Sequence, residues 1–152
     1  MRKRCNRTKR IVGHILLPKQ VQEMVMPLHM AVKLLPLGLF SRDHADHLAK
    51  MINVVFVDAC EKDDVAVDNA RKAGETLTGM YRRVRDGKAW GATTREREIL
   101  KTSILEIDRH IRRMTTNRLM LASATIDRLN EEAKAKGYKF LDMAPVVNEK
   151  GN

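Results

Sequence analysis

His44 and His47 lie three residues apart in SRDHADHLAK, flanked by Asp43 and Asp46. On a helix that spacing sets both imidazoles on one side, as two ligands of a single metal ion would need. A zinc site also requires a third and usually a fourth ligand, and Cys5 and Cys60 are far apart with no CxxC spacing. The pair therefore reads as the solvated first turn of a helix. No metal and no cofactor is expected.

Acid–base chemistry is the next possibility. His14, His29, His44, His47 and His110 occur without a Gly-rich phosphate loop, a nucleophile elbow, an HExxH motif or a Ser/His/Asp setting. Asp108, Arg109 and His110 are consecutive, but consecutive positions on a helix point in different directions. No enzymatic activity is expected and no catalytic residue is assigned.

Binding of phosphate has the strongest signal. The opening MRKRCNRTKR holds Arg2, Lys3, Arg4, Arg7, Lys9 and Arg10, six of the 29 basic residues of a chain with formal net charge +10. Removing them leaves 23 basic against 19 acidic residues, so the body is close to balanced and the leader is not. Clustered cations gain by releasing the counterions condensed on a nucleic acid, although such a run also serves as a plain solvated end. A second group, Arg109, Arg112, Arg113 and Arg118, follows late in the chain. The first three stand at i, i+3 and i+4, on one helix face, where they either grip phosphates beside the arm or pair with Glu106 and Asp108. The six aromatic residues, Phe40, Phe56, Tyr81, Trp90, Tyr138 and Phe140, do not cluster among basic residues. Base stacking is therefore not expected, which leaves contacts to the phosphate backbone that are largely blind to sequence.

The elements that must position these residues are helices. With 152 residues, 43% of them hydrophobic and only 4% aromatic, the chain can form one core of Leu, Ile, Val, Met and Ala. An all-α fold of about five helices is expected, with a basic arm over residues 1–12, a single helical domain over 13–137 and an extended tail over 138–152. Val21, Val25, Leu28, Val32 and Leu35 form the first stripe, with Pro27 inside it predicting a kink or a fresh start and Pro36 ending it. Ser41 caps a second helix with Ala45, Leu48, Ile52, Val55 and Ala59 inward, although MINVVFVDAC has strand propensity by composition. A third runs from Asp63 or Asp64 to Arg85, with Ala66, Ala70, Ala73, Leu77, Met80 and Val84 in phase, and Asp86-Gly87 stopping it. Thr93 and Glu96 form a capping box ahead of Leu100, Ile104, Ile107, Ile111 and Met114. The fifth stripe, Leu119, Ala122, Ile126, Leu129 and Ala133, is five residues out from Met114 where a continuing heptad needs four. That slip predicts a break at Thr115-Thr116, and Gly137 ends the last helix. Tyr138, Phe140 and Leu141 can dock back onto the bundle.

The apolar stretch from Ile11 to Phe40 is interrupted by His14, Lys19, Gln20, Gln22 and Glu23, so neither a membrane span nor a cleaved leader is expected. Two unpaired cysteines suit a reducing cytoplasm.

The M-R-K-R-x-x-R-x-K-R opening, the segment SRDHADHLAKMIN, the loop GKAWGATT and the ID-R pattern in LEIDRHIR and TIDRLN together resemble small basic-arm proteins of phages, prophages and related mobile elements of bacteria. The resemblance implies a mobile-element origin, a host bacterial cytoplasm and an all-helical body. Some relatives are described as Fis-type regulators, which read DNA with a C-terminal helix-turn-helix, but Thr115-Thr116 lacks the glycine-bearing turn of that motif. Three readings follow. The first is an accessory or regulatory protein that binds nucleic acid, DNA ahead of RNA, through the arm with help from the later arginines. The second is a helical protein–protein interaction module or inhibitor aimed at a host complex, such as one of defence. The third is a homo-oligomer whose apolar stripes pair between chains.

Overall fold

The computed structural model describes residues 14–137, so the arm and the tail fall outside the described residues. Five helices follow one another: α1 (Pro18–Leu34), α2 (Arg42–Ala59), α3 (Asp64–Arg85), α4 (Thr94–Ile111) and α5 (Thr116–Ala135). A 3₁₀ turn, Leu35–Leu37, closes α1, and no named strand occurs among the described residues.

Short polar side chains set the helix starts. The Asp63 carboxylate accepts from Ala66 N–H at 3.1 Å to open α3. Thr93 and Glu96 form the reciprocal box of α4, at 3.2 and 2.7 Å. Thr115 accepts from Arg118 N–H at 3.3 Å, so the phase slip is indeed the start of a new helix. Gly137, just past α5, has φ 73°, a conformation natural to glycine.

α1 does not begin afresh at Pro27. The helix runs through it, although proline leaves the Glu23 carbonyl without its helical donor. Glu23 is exposed, so water can serve that carbonyl, while Val21, Val25, Leu28 and Ala31 on either side of the proline are buried in one core. Packing holds the helix where local propensity would break it.

α2 is the central element and packs on all four other helices. Its buried surface is wider than the expected stripe, adding Ala49, Met51 and Val54 to Ala45, Leu48, Ile52, Val55 and Ala59. A helix apolar around most of its circumference is one made to be surrounded, which is why MINVVFVDAC is helical despite its β-branched content. Against α2, α3 offers small side chains first (Ala66, Ala70, Ala73, Gly74) and bulky ones later (Leu77, Met80, Tyr81). α4 buries Leu100, Ile104, Ile107 and Ile111, with Met114 following. α5 buries only Ala122; Leu119, Ile126, Leu129 and Ala133 are half-covered.

The α3–α4 loop is tied at both ends. Arg83 donates to both Glu96 carboxylate oxygens, at 2.8 and 2.9 Å, and to the Gly91 carbonyl at 3.0 Å. Trp90 then stands edge-on to Tyr81 and against Phe40, ring centroids 5.1 and 5.6 Å apart. Tyr81 O–H donates to Asp46; burial, then that carboxylate, push the phenol far above its ordinary range. These rings fill a corner of the core and offer no face to a base. Burial works to raise the Glu96 carboxyl, but Arg83 and the Thr93 cap outweigh it and hold it below the usual range. Arg83→Ala is expected to cost about 1–3 kcal/mol and to shift Trp90 fluorescence to longer wavelength, read by thermal denaturation and emission spectra.

Candidate nucleic-acid interface

The corner between α4 and α5 is built around a buried acid. Asp58, in the last turn of α2, is 5% exposed. Arg118, in the first turn of α5, donates from Nε to Oδ1 at 3.0 Å and from Nη2 to Oδ2. His110, 4% exposed on α4, meets Asp58 through Nε2 at 2.8 Å and Asp63 through Nδ1 at 3.3 Å. The tetrad Asp58, Asp63, His110 and Arg118 joins four helices. Burial acts to raise the Asp58 carboxyl, but the hydrogen bonds and charges of Arg118 and His110 win and hold it below the usual carboxylate range. At Asp63 the Ala66 N–H is the largest cause of a shift in the same direction, with His110 adding to it.

The same corner anchors the start of the described chain. Thr116 N–H donates to the His14 carbonyl at 2.9 Å, and Ile15 pairs with Thr115 in an isolated antiparallel bridge. Residues 14–17 therefore lie along the α4–α5 junction, with Leu16 buried. Arg10 is four residues upstream, and a fully extended chain of that length spans about 14 Å. Covalent connection alone keeps the near end of the arm close to the junction.

The four later arginines divide. Arg113 is exposed, and its positive charge acts on Asp63. Arg109 pairs with Glu106 at 2.6 Å and Arg112 with Asp108 at 2.5 Å, both on the α4 surface, as the pairing alternative anticipated. Asp108 also meets His29 Nε2 of α1 at 3.0 Å. Arg118 turns its guanidinium onto Asp58, with a longer bond of 3.4 Å to the Arg113 carbonyl, so it holds the corner together. Arg2, Lys3, Arg4, Arg7, Lys9 and Arg10 lie outside the described residues.

The other sequence candidates find structural partners. His44 Nδ1 accepts from Ser41 N–H at 3.1 Å and lies 2.8 Å from its hydroxyl, while His47 Nε2 is 3.2 Å from the Met24 carbonyl. Among the described residues no group of three His, Cys, Asp or Glu side chains is arranged to hold a metal ion. Asp108, Arg109 and His110 each meet different partners and do not converge on one point. No described helix is long and apolar enough to cross a membrane.

Sequence reasoning missed the tetrad. Its one local signal is Asp58 closing the apolar run VVFVDA, in phase with the buried Val54 and Met51: an acid on a buried face requires a cation from elsewhere. Compared with known proteins, the chain matches no family model, no curated protein and no solved structure.

Removing one member strands charge. Asp58→Ala, which leaves His110 and Arg118 without their shared acceptor, is expected to cost about 3–5 kcal/mol and to lower Tm by roughly 10 °C. Because the Asp58 pKa is depressed on folding, its contribution is full above the unfolded value near 3.9 and is lost as pH falls through the lower folded value. Denaturation followed by circular dichroism should steepen below about pH 4 in the parent and be flatter there in Asp58→Asn.

Proposed function

We propose that this chain is a non-enzymatic accessory or regulatory protein of the mobile-element type, binding nucleic acid, DNA ahead of RNA, through phosphate contacts. The contacting groups are Arg2, Lys3, Arg4, Arg7, Lys9 and Arg10 of the arm, joined by Arg113 and, more weakly, by Arg109 and Arg112.

The observation that supports this reading is the bond between Thr116 and the His14 carbonyl. It fixes the first described residue at the junction that presents Arg113, which favours reading the arm cations and Arg113 as one set of phosphate contacts. Arg109 and Arg112 share their charge with Glu106 and Asp108. Their contribution to counterion release is correspondingly smaller. Among the described residues the rings Phe40, Tyr81 and Trp90 pack on one another, which favours backbone contact and with it a preference for charge over sequence.

The test is a salt titration of duplex affinity. Six arm cations on phosphates give a slope of log affinity against log salt of about −5, and Arg113 adds about one more. Deleting residues 1–10 should abolish most of that slope while leaving the helical circular-dichroism signal intact. Arg113→Ala should reduce the slope by about 1, and Arg109→Ala by less. Affinity independent of salt would rule the reading out.

A further inference from the structure

We infer that the groove between α1 and α4 seats an amphipathic helix of a partner protein whose flanks are acidic. This goes beyond the nucleic-acid reading and uses none of the residues assigned to phosphate.

The groove has a volume of about 510 Å³. Its floor is apolar, formed by Val32 of α1, Pro36 of the 3₁₀ turn that follows, and Ile104 and Leu105 of α4. Leu105 is 52% exposed, an unusual position for leucine unless something covers it. Along α4 the lining runs from Thr94 to Leu105, about 16 Å of helix axis, or three turns of an incoming helix. On α1 and the 3₁₀ turn that closes it, Met26, Met30 and Leu37 are about half exposed or more. Methionine side chains adapt their shape, which suits a surface that accepts a helix.

The charge on the walls selects the occupant. Lys33 stands on the α1 side, with Arg97 and Lys101 one turn apart on the α4 side. None of the three meets a carboxylate at ion-pair distance among the described residues, and the one hydrogen bond of the Arg97 guanidinium goes to the Thr94 hydroxyl at 3.1 Å. Elsewhere the pattern differs: Arg83, Arg109, Arg112 and Arg118 each hold an acidic partner. Glu98 is the one acid of the lining, and His29 is already taken by Asp108. The walls are thus left with unneutralised positive charge above an apolar floor. A helix with apolar residues at i, i+3 or i+4 and i+7, and Asp or Glu on both flanks, satisfies both features at once. An isolated small amphiphile is a poorer fit, because the trough is open along its length and would leave much of such a ligand in water.

The experiment pans a phage-displayed library of random 16-residue peptides against the full-length, nuclease-treated chain at physiological salt. Enriched peptides are expected to share the apolar helical spacing with acidic residues between. A synthetic representative should bind the parent, and should bind both Lys33→Glu/Lys101→Glu and Leu105→Asp about tenfold or more weakly, with melting transitions unchanged. Failure to enrich any consensus, enrichment of basic peptides, or equal binding to the parent and both variants would overturn the inference. So would a chain that is dimeric by light scattering and becomes monomeric in these variants, since the groove would then belong to a second copy. Duplex affinity of the Leu105→Asp chain, measured in parallel, should match the parent and keeps the two readings separable.

Discussion

A carboxylate taken out of water must be met by positive charge, and in this protein that requirement falls on Asp58. The acid sits at the end of the central helix, where its neighbours in sequence are apolar and offer no counter-charge. The charge comes from Arg118, 60 residues away, and His110, 52 residues away, adds a second hydrogen-bond partner. Each belongs to a different helix, so meeting the electrostatic demand also fixes where α4 ends and α5 begins. Asp63 completes the set by capping α3 and closing the second side of the imidazole. An apolar core tolerates many arrangements of similar volume, whereas a fully bonded buried network tolerates few.

The position of α5 depends on this more than that of any other helix. It buries one residue fully and packs mainly on α2, so apolar burial alone gives it a weak preference for place. The Arg118 pair with Asp58 supplies what its apolar face does not. Because Thr116 also receives the strand-like segment from His14, the start of the described chain is fixed by the same corner. The ion network thus has a structural part beside Arg113 and need not touch a ligand itself.

Features encoded locally were legible in the sequence. The Thr93–Glu96 box, the Asp63 and Thr115 caps and the stripes of α2 and α4 each depend on residues within a turn or two of one another, and each stands where its spacing predicted. The slip between Met114 and Leu119 was enough to divide α4 from α5. What escaped was non-local. Proline favours a fresh start by its own chemistry, yet α1 continues through Pro27, with the core burying residues on both sides of it. The pairing of Arg118 with Asp58 was not visible because Arg118 stands beside three exposed arginines in sequence, while its partner lies in α2. His110, set among the apolar residues of α4, had no visible function until the fold brought Asp58 and Asp63 to its two nitrogens.

If arm and corner form one surface, their separation along the chain must matter. A twelve-residue Gly/Ser insertion between Gly13 and His14 keeps every cation and every contact of the helical body, and changes only how closely the arm is held to Arg113. Duplex affinity at fixed ionic strength is predicted to fall by about an order of magnitude, as the effective concentration of one group near the other drops with tether length. Affinity equal to that of the parent chain would mean that the arm acts alone, and would contradict the single-surface account.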